Sequence, residues 1–174
     1  THCLHCGNRL FEKLTEELAE KKNVEIVQGD ALKFPYEDIN GKFKVVANIP
    51  YYITTPIIFK LLEHKEKMPS MTLLMQKEVA KRITASPGSK EYGVLSITTR
   101  LYTEPVLKFS VSKKAFSPPP KVDSAVLHFN VSSKPRFKMK DEELFLKVVR
   151  AAFSQRRKTI LNGLKKFEGI KEAL

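Results

Sequence analysis

The chain has 174 residues, 42% of them hydrophobic and 29% charged, a mixture that buries a core in one domain with at most a small appendage and excludes a disordered tail. No run approaches the roughly 18 apolar residues that cross a bilayer, and the first residues lack the basic-then-apolar order of a signal peptide, so a cytoplasmic protein with no membrane partner is expected. The formal net charge of +12 favours a polyanionic partner, and it is concentrated late: residues 132–174 hold 12 Lys or Arg against 5 Asp or Glu, while residues 1–131 hold 19 against 14.

At the start, Cys3 and Cys6 form a C-x-x-C with His2 and His5 interleaved. Two cysteines are too few for the disulfide framework of a secreted domain, and on a short loose terminus they are not expected to hold a metal. Residues 9–21 place Leu10, Leu14 and Leu18 at helical spacing, with Asn23 as terminator. Residues 24–27 read as a strand running into Gly29-Asp30, and residues 43–47 as a second strand running into Asn48-Ile49-Pro50-Tyr51. Thr54 or Thr55 with Pro56 opens a helix whose buried face is Ile57, Ile58, Leu61 and Leu62.

Residues 71–75 form a continuous apolar strand, followed by a helix over 77–84 and the loop Ser86-Pro87-Gly88-Ser89. Residues 94–102 and 106–111 read as strands, and 122–131 alternates as another. Strands separated by helices imply an α/β fold with a largely parallel sheet, and the short later connections imply an antiparallel edge. After the linker-like Ser132-Ser133-Lys134-Pro135 the pattern turns helical: Leu144, Val148 and Ala152 share one face, Phe145, Val149 and Phe153 another, and Asn162-Gly163 reads as the stop. The expected division is a catalytic unit over 1–131 and the start of a small basic helical domain over 132–174.

In an open α/β sheet ligands bind beyond the carboxyl ends of strands, which singles out Asp30 and Asn48. The amino group of adenine is a poor nucleophile because its lone pair is delocalised into the ring. A site that methylates it must accept from both N–H groups and aim the lone pair at an electrophilic methyl. The Asn48 side-chain oxygen and a turn carbonyl, that of Ile49 or Pro50, can be the two acceptors, Pro50 stiffens the turn, and Tyr51 can stack on the base. Such a site needs positioning more than a strong base. Taken alone, an N-x-P-Y is as readily a turn whose Asn caps a helix and whose Tyr packs on the surface.

The tetrapeptide is accompanied, in order, by Gln28-Gly29-Asp30-Ala31, Gln76-Lys77-Glu78-Val79-Ala80-Lys81-Arg82, Tyr92-Gly93-Val94-Leu95-Ser96, Ala115-Phe116-Ser117-Pro118-Pro119-Pro120-Lys121-Val122-Asp123-Ser124, and Phe153-Ser154-Gln155-Arg156-Arg157-Lys158. Together these resemble the ribosomal RNA adenine N6 dimethyltransferases over most of residues 10–165, and the proline stretch and Gln155-Arg156-Arg157-Lys158 resemble the branch acting on small-subunit RNA. The resemblance implies a Rossmann-like, S-adenosylmethionine-dependent methyltransferase sheet, here partial, with a small C-terminal helical domain. It implies a monomer whose partners are ribosomal RNA and the assembling small subunit. Asp30, Ala31 and Asn48 would hold S-adenosylmethionine, Asn48, Pro50, Tyr51 and Phe116 would form the catalytic pocket, with Phe116 as its second aromatic wall, and Arg156, Arg157, Lys158 and Lys121 would meet RNA. An unstacked or flipped adenine suits two aromatic walls. Lys77, Lys81 and Arg82 are further phosphate candidates.

The resemblance fails at the start. The family's first strand with its G-x-G-x-G loop is absent, as is the second strand ending in a ribose-binding acid, whose place reads His5-Cys6-Gly7. Without the central strand its neighbours should have unpaired edges and the cofactor pocket should be open, so the isolated polypeptide should fold poorly and bind cofactor weakly. Two other functions fit the same features: a large-subunit adenine methyltransferase of the antibiotic-resistance type, and a non-catalytic RNA-binding module of ribosome assembly.

Overall fold

The computed structural model of the protein describes residues 2–5, 8–154, 160–164 and 167. Twelve regular elements follow in the order β1 (His2–His5), α1 (Asn8–Glu17), β2 (Glu25–Gln28), β3 (Lys44–Asn48), α2 (Thr54–Glu63), β4 (Ser70–Gln76), α3 (Lys77–Thr84), α4 (Val94–Tyr102), β5 (Thr103–Val111), β6 (Ser124–Val131), α5 (Glu142–Ala152) and α6 (Ile160–Leu164). The fold is α/β, as expected. Its sheet is in two pieces: β1 and β2 pair in parallel, and β3, β4, β6 and β5 form a second sheet in that order. Within the second, β3 and β4 are parallel, while β6 runs antiparallel to both β4 and β5. The antiparallel edge read from the short connections is therefore present, and β3 and β1 each have one hydrogen-bonded neighbour.

The core forms on one face of the larger sheet. In β4, Met71, Leu73 and Met75 are fully buried and alternate with half-buried Thr72 and Leu74, the period-2 signature of a strand packed on one side. Ala125, Leu127 and Phe129 of β6 extend the same layer, and Ile57, Ile58, Leu61 and Leu62 of α2 close over it. Each such aliphatic side chain contributes roughly 1.5–3 kcal/mol on burial. On the opposite face the register aligns Val46, Thr72, His128 and Val106, with Val46 82% exposed and Val106 38%.

Three readings of the sequence are corrected. Residues 94–102 are the helix α4, not a strand. The run is rich in β-branched residues, but its hydroxyls are satisfied by carbonyls of the same helix and of α3. Thr98 donates to the Val94 carbonyl at 2.7 Å, Thr99 to that of Leu95, and Ser96 Oγ both accepts from the Gly93 N–H and donates to the Arg82 carbonyl. A run this short carries no decisive period, so packing chose the helix.

The second correction concerns the start, read as a loose terminus without a strand. His2–His5 is a strand, paired in register with Glu25–Gln28. The available edge of β2 supplies the backbone partners that outweigh the weak local signal of four residues. Third, Asn162-Gly163 lies inside α6 rather than ending it. A Cβ on Gly163 would stand 2.2 Å from the Ala151 carbonyl oxygen, so the glycine serves the close crossing of α6 over α5.

The segment after β6 is tied down by its backbone. Ser132 donates to the Tyr102 carbonyl, Arg136 to that of Leu101, and the Arg136 guanidinium to that of Thr103, at 2.8 Å each. Asp141 caps α5 by accepting from Leu144 N–H, and Phe145 and Leu146 pack against the core of the larger sheet. Tyr102 hydrogen-bonds Glu142, with the Lys65 ammonium 4.5 Å above its ring. None of the described helices is long and apolar enough to cross a membrane.

Candidate active site

Between the two sheet pieces lies a cavity of about 760 Å³, within the range of small-molecule sites, which run roughly 300–1,000 Å³. Gly29, Asp30 and Ala31, just past β2, line one side of it. Asn48, Ile49 and Pro50, at the end of β3, line the other. Leu32, Phe34, Phe43, Ile53 and Ile57 make its walls largely apolar. Asp30 and Asn48, 18 residues apart in sequence, thus meet across one cavity, at the carboxyl ends of their strands.

Asp30 is exposed, and its own backbone turn orients it: Oδ1 accepts from Leu32 N–H and the carbonyl from Lys33 N–H, both at 2.9 Å. Its second carboxylate oxygen has no partner among the described residues and can accept from a ligand. Burial, reinforced by the Asp30 carboxylate, pushes the Tyr36 phenol above its ordinary range. An apolar slot ending in a carboxylate acceptor fits the adenine of a nucleoside cofactor.

Asn48 is the last residue of β3, paired with Leu74 of β4, and its exposed side chain makes no hydrogen bond among the described residues. Ile49 is buried and donates to the Leu74 carbonyl at 3.0 Å. The chain then turns at Pro50 (φ −53°) into a 3-10 turn over Tyr51–Ile53, which closes on the Pro50 carbonyl by accepting from Ile53 N–H at 3.1 Å. Of the two carbonyls considered from sequence as a second acceptor, that of Pro50 closes the turn and that of Ile49 stays outside it.

Tyr51 departs from its neighbours. Asn48, Ile49, Pro50, Tyr52 and Ile53 line the cavity and Tyr51 does not. Its hydroxyl lies 2.7 Å from Oγ of Ser124, the fully buried first residue of β6. Tyr52, which sequence reading passed over, lines the cavity at 82% exposure, the visible signal being only a second tyrosine after the motif.

Beside this corner opens a larger cleft of about 1230 Å³. Lys77, Lys81, Arg82, Lys90, Lys113 and Lys121 line it, together with three acids. Glu78 is paired with Arg82, while Glu91 and Asp123 stay as unpaired negative charges among the described residues, Asp123 accepting from the Lys113 backbone N–H at 3.1 Å. The five lysines have no ion-pair partner among the described residues and outnumber these two acids, a surplus of positive charge that suits phosphate. Ala152, Phe153 and Ile160 form the far wall, where Phe153 meets Tyr92 edge to face at 6.2 Å.

Lys121 therefore lies where a basic groove runs, as do Lys77, Lys81 and Arg82. Lys90 and Lys113 join them from separate loops, which no sequence pattern could place on one surface. Phe116 follows a 3-10 turn at Lys113–Ala115, is half-buried, and makes no ring contact with Tyr51. Its N–H donates to the Lys113 carbonyl at 3.3 Å, and the Lys113 N–H in turn donates to Asp123 Oδ1, one residue before Ser124; Phe116 lines neither cavity. Arg156, Arg157 and Lys158 lie outside the described residues, as do Cys6 and Gly7. Among the described residues no group of three or more His, Cys, Asp or Glu is placed to hold a metal.

The family model described as ribosomal RNA adenine dimethylase matches residues 4–173. "Ribosomal RNA small subunit methyltransferase A" of Caldanaerobacter subterraneus subsp. tengcongensis is 48% identical over 171 residues, 95% of this chain and 63% of that protein. The protein of the same name from Moorella thermoacetica is 45% identical over 172 residues, covering 92% of this chain and 60% of its own. The chain thus spans about three-fifths of the length of these curated relatives. Among solved structures, a dimethyladenosine transferase from Plasmodium falciparum superposes with a TM-score of 0.79 at 29% identity, over 98% of this chain and 61% of that one. The 23S rRNA methyltransferase ErmE gives 0.78 at 27%, over 99% and 69%. The fold is the Rossmann-like one of these methyltransferases, and the chain belongs to the ribosomal RNA adenine dimethylase family.

Proposed function

We propose that this chain carries the target-base half of an enzyme that transfers methyl groups from S-adenosylmethionine to N6 of adenines in a small-subunit ribosomal RNA hairpin loop, as that subunit matures in the cytoplasm. The observation that carries the reading is the meeting of Asp30 and Asn48 across one cavity, both at strand ends and both with acceptor atoms that have no partner among the described residues. Bound there, S-adenosylmethionine supplies the electrophilic methyl. Asp30 accepts from its adenine amino group, Ala31 lies alongside, and Asn48 stands between the cofactor and the incoming base. The Asn48 oxygen and the Ile49 carbonyl accept from the two N–H groups of the target, Pro50 holds the turn, and Tyr51 and Phe116 flank the base. No general base is needed, because orientation accounts for most of the barrier reduction.

The basic cleft would carry the RNA. Lys121 contacts phosphate there with the other cleft lysines, and Arg156, Arg157 and Lys158 add the charge of the basic last quarter of the sequence. Residues 132–174 are in this reading the beginning of an RNA-binding helical domain, and the protein acts as a monomer. The names of the curated relatives favour the small-subunit branch, whereas the superposition on ErmE keeps a large-subunit adenine as the second reading. Primer extension on ribosomal RNA from cells with and without the gene separates them. Stops at small-subunit hairpin adenines that vanish with the gene are expected, and stops lost only from large-subunit RNA would overturn the assignment.

A further inference from the structure

Methyl transfer as proposed leaves one feature of the motif unused: the hydroxyl of Tyr51. A tyrosine whose only task is to stack on a base has no need of a buried partner, since phenylalanine offers the same face. Here the hydroxyl lies 2.7 Å from Ser124 Oγ, across 73 positions of sequence, and Ser124 has no solvent exposure. The serine is itself fixed. It is the first residue of β6, in register with Gln76 of β4 on one side and Val111 of β5 on the other. Its neighbour Asp123 accepts from Lys77 N–H at 3.0 Å through its carbonyl and from Lys113 N–H through its carboxylate. The opposite end of Tyr51 is held as well, its carbonyl accepting from Oγ1 of the buried Thr54 at 3.3 Å.

We infer that Ser124 is a positioning residue for the methylation site: it anchors the Tyr51 hydroxyl to the start of β6 and so fixes the plane in which the Tyr51 ring meets the target base. The inference rests on the proposed target-base role of Tyr51. A ring hinged only at Cα and Cβ samples several rotamers, whereas one tied at its para position is confined to one. A base stacked on a confined ring keeps its amino group in line with Asn48. A base on a free ring binds almost as well but spends less time in the reactive pose. The geometry also explains why the cavity-lining run skips Tyr51: its hydroxyl is directed to Ser124 at the start of β6, next in sequence to Asp123 of the basic cleft.

The test is a double-mutant cycle in the full-length protein with Tyr51→Phe, Ser124→Ala and the pair, read by methyl transfer to a hairpin RNA. Each single variant should lower kcat about fivefold to tenfold, the size of one net hydrogen bond, with KM for RNA within about twofold. The double variant should be no slower than the worse single one, because both substitutions remove the same hydrogen bond. Tyr51→Phe keeps the ring but leaves the buried Ser124 hydroxyl unpaired, so its melting temperature should fall by a few degrees, and kcat is read well below the melt so that a loss in it reports orientation rather than unfolding. If Ser124→Ala does not fold, Tyr51→Phe alone decides. A Tyr51→Phe protein at the wild-type rate, or losses that multiply in the double variant, would overturn the inference while leaving the methylation reading intact. A wild-type protein that methylates no adenine overturns both.

Discussion

Replacing Asn48 by Ala isolates the chemistry from the fold. The backbone of Asn48 is held by pairing with Leu74, and its side chain is exposed and makes no hydrogen bond among the described residues. Its removal should therefore change stability by no more than about 0.5 kcal/mol. For a chain of this size that is a melting shift of about 2 °C or less. If Asn48 accepts from the target amino group as proposed, the missing acceptor is felt only as the target nitrogen moves toward tetrahedral geometry and its N–H groups sharpen as donors. Deleting one preorganised hydrogen-bonding group of this kind costs about 10²–10³ in rate, roughly 2.7–4 kcal/mol of transition-state stabilisation. The assay is single-turnover methyl transfer to a hairpin RNA, run beside RNA binding at fixed salt and a thermal melt. A kcat reduced at least a hundredfold, with RNA affinity within about twofold, is expected. Transfer within tenfold of wild type would refute the placement of Asn48 at the reacting nitrogen, and a large fall in melting temperature would refute the claim that its side chain is structurally idle.

Substituting Lys77, Lys81 or Lys121 by Ala should weaken RNA binding by a similar factor whatever the sequence of the RNA, and lower the slope of log affinity against log salt by about 0.7–0.9 for each phosphate left without its lysine; salt titrations by fluorescence anisotropy would read it, and an unchanged slope in all three would move the RNA elsewhere. Tyr102 gives a pH prediction. Burial first, then its hydrogen bond to Glu142, pushes its phenol from near 10 up to about 12. A group with a raised folded pKa holds its proton more tightly in the folded state. Its contribution is therefore complete below pH 10 and is lost as pH rises from 10 to about 12. Denaturant melts across that window should show a falling midpoint that is flatter in Tyr102→Phe; equal slopes would refute the raised Tyr102 phenol.

The two halves of the site differed in how readily the sequence revealed them. Asp30 and Asn48 were legible because each directly follows an apolar run, so the rule that ligands gather at strand ends needs only local information. The core strand β4 and the buried face of α2 were legible for the same reason, as runs whose period is set by one buried side. The cleft was not. Lys77, Lys90, Lys113 and Lys121 come from one helix and two loops, and only the packing of α3, α4 and the β5–β6 loop brings them together. The Tyr51–Ser124 bond was hidden likewise, since both residues sat in recognised blocks but nothing local says that one touches the other. Helix α4 failed for a different reason. Its threonines and valine carry strand propensity, and tertiary packing overrides it: Ser96, Thr98, Thr99 and Leu101 are buried in the helical conformation, with the three hydroxyls bonded to carbonyls rather than left unpaired.

Topology explains why these scattered residues converge. Because β3 and β4 are parallel, Asn48 and Lys77 leave the sheet at the same end. In an all-parallel sheet the residues preceding a strand would emerge at the opposite end, but β6 is antiparallel to β4, so its first residues arrive beside Lys77. Strand β5 is antiparallel to β6, so it ends at Val111 on that same side, and the whole connection over 112–123 is spent there. Asn48, Tyr51, Lys77, Lys113, Phe116, Lys121 and Ser124 are thereby gathered at one end of the sheet by a single reversal of strand direction. The reversal also supplies rigidity that a loop alone would lack. Ser124 belongs to a strand paired on both sides, so the partner it offers Tyr51 is fixed by the ladder rather than by the proline-rich loop that precedes it. Changes within 112–121 should then alter which RNA is held, while changes at the paired start of β6 should alter how well the base is aimed.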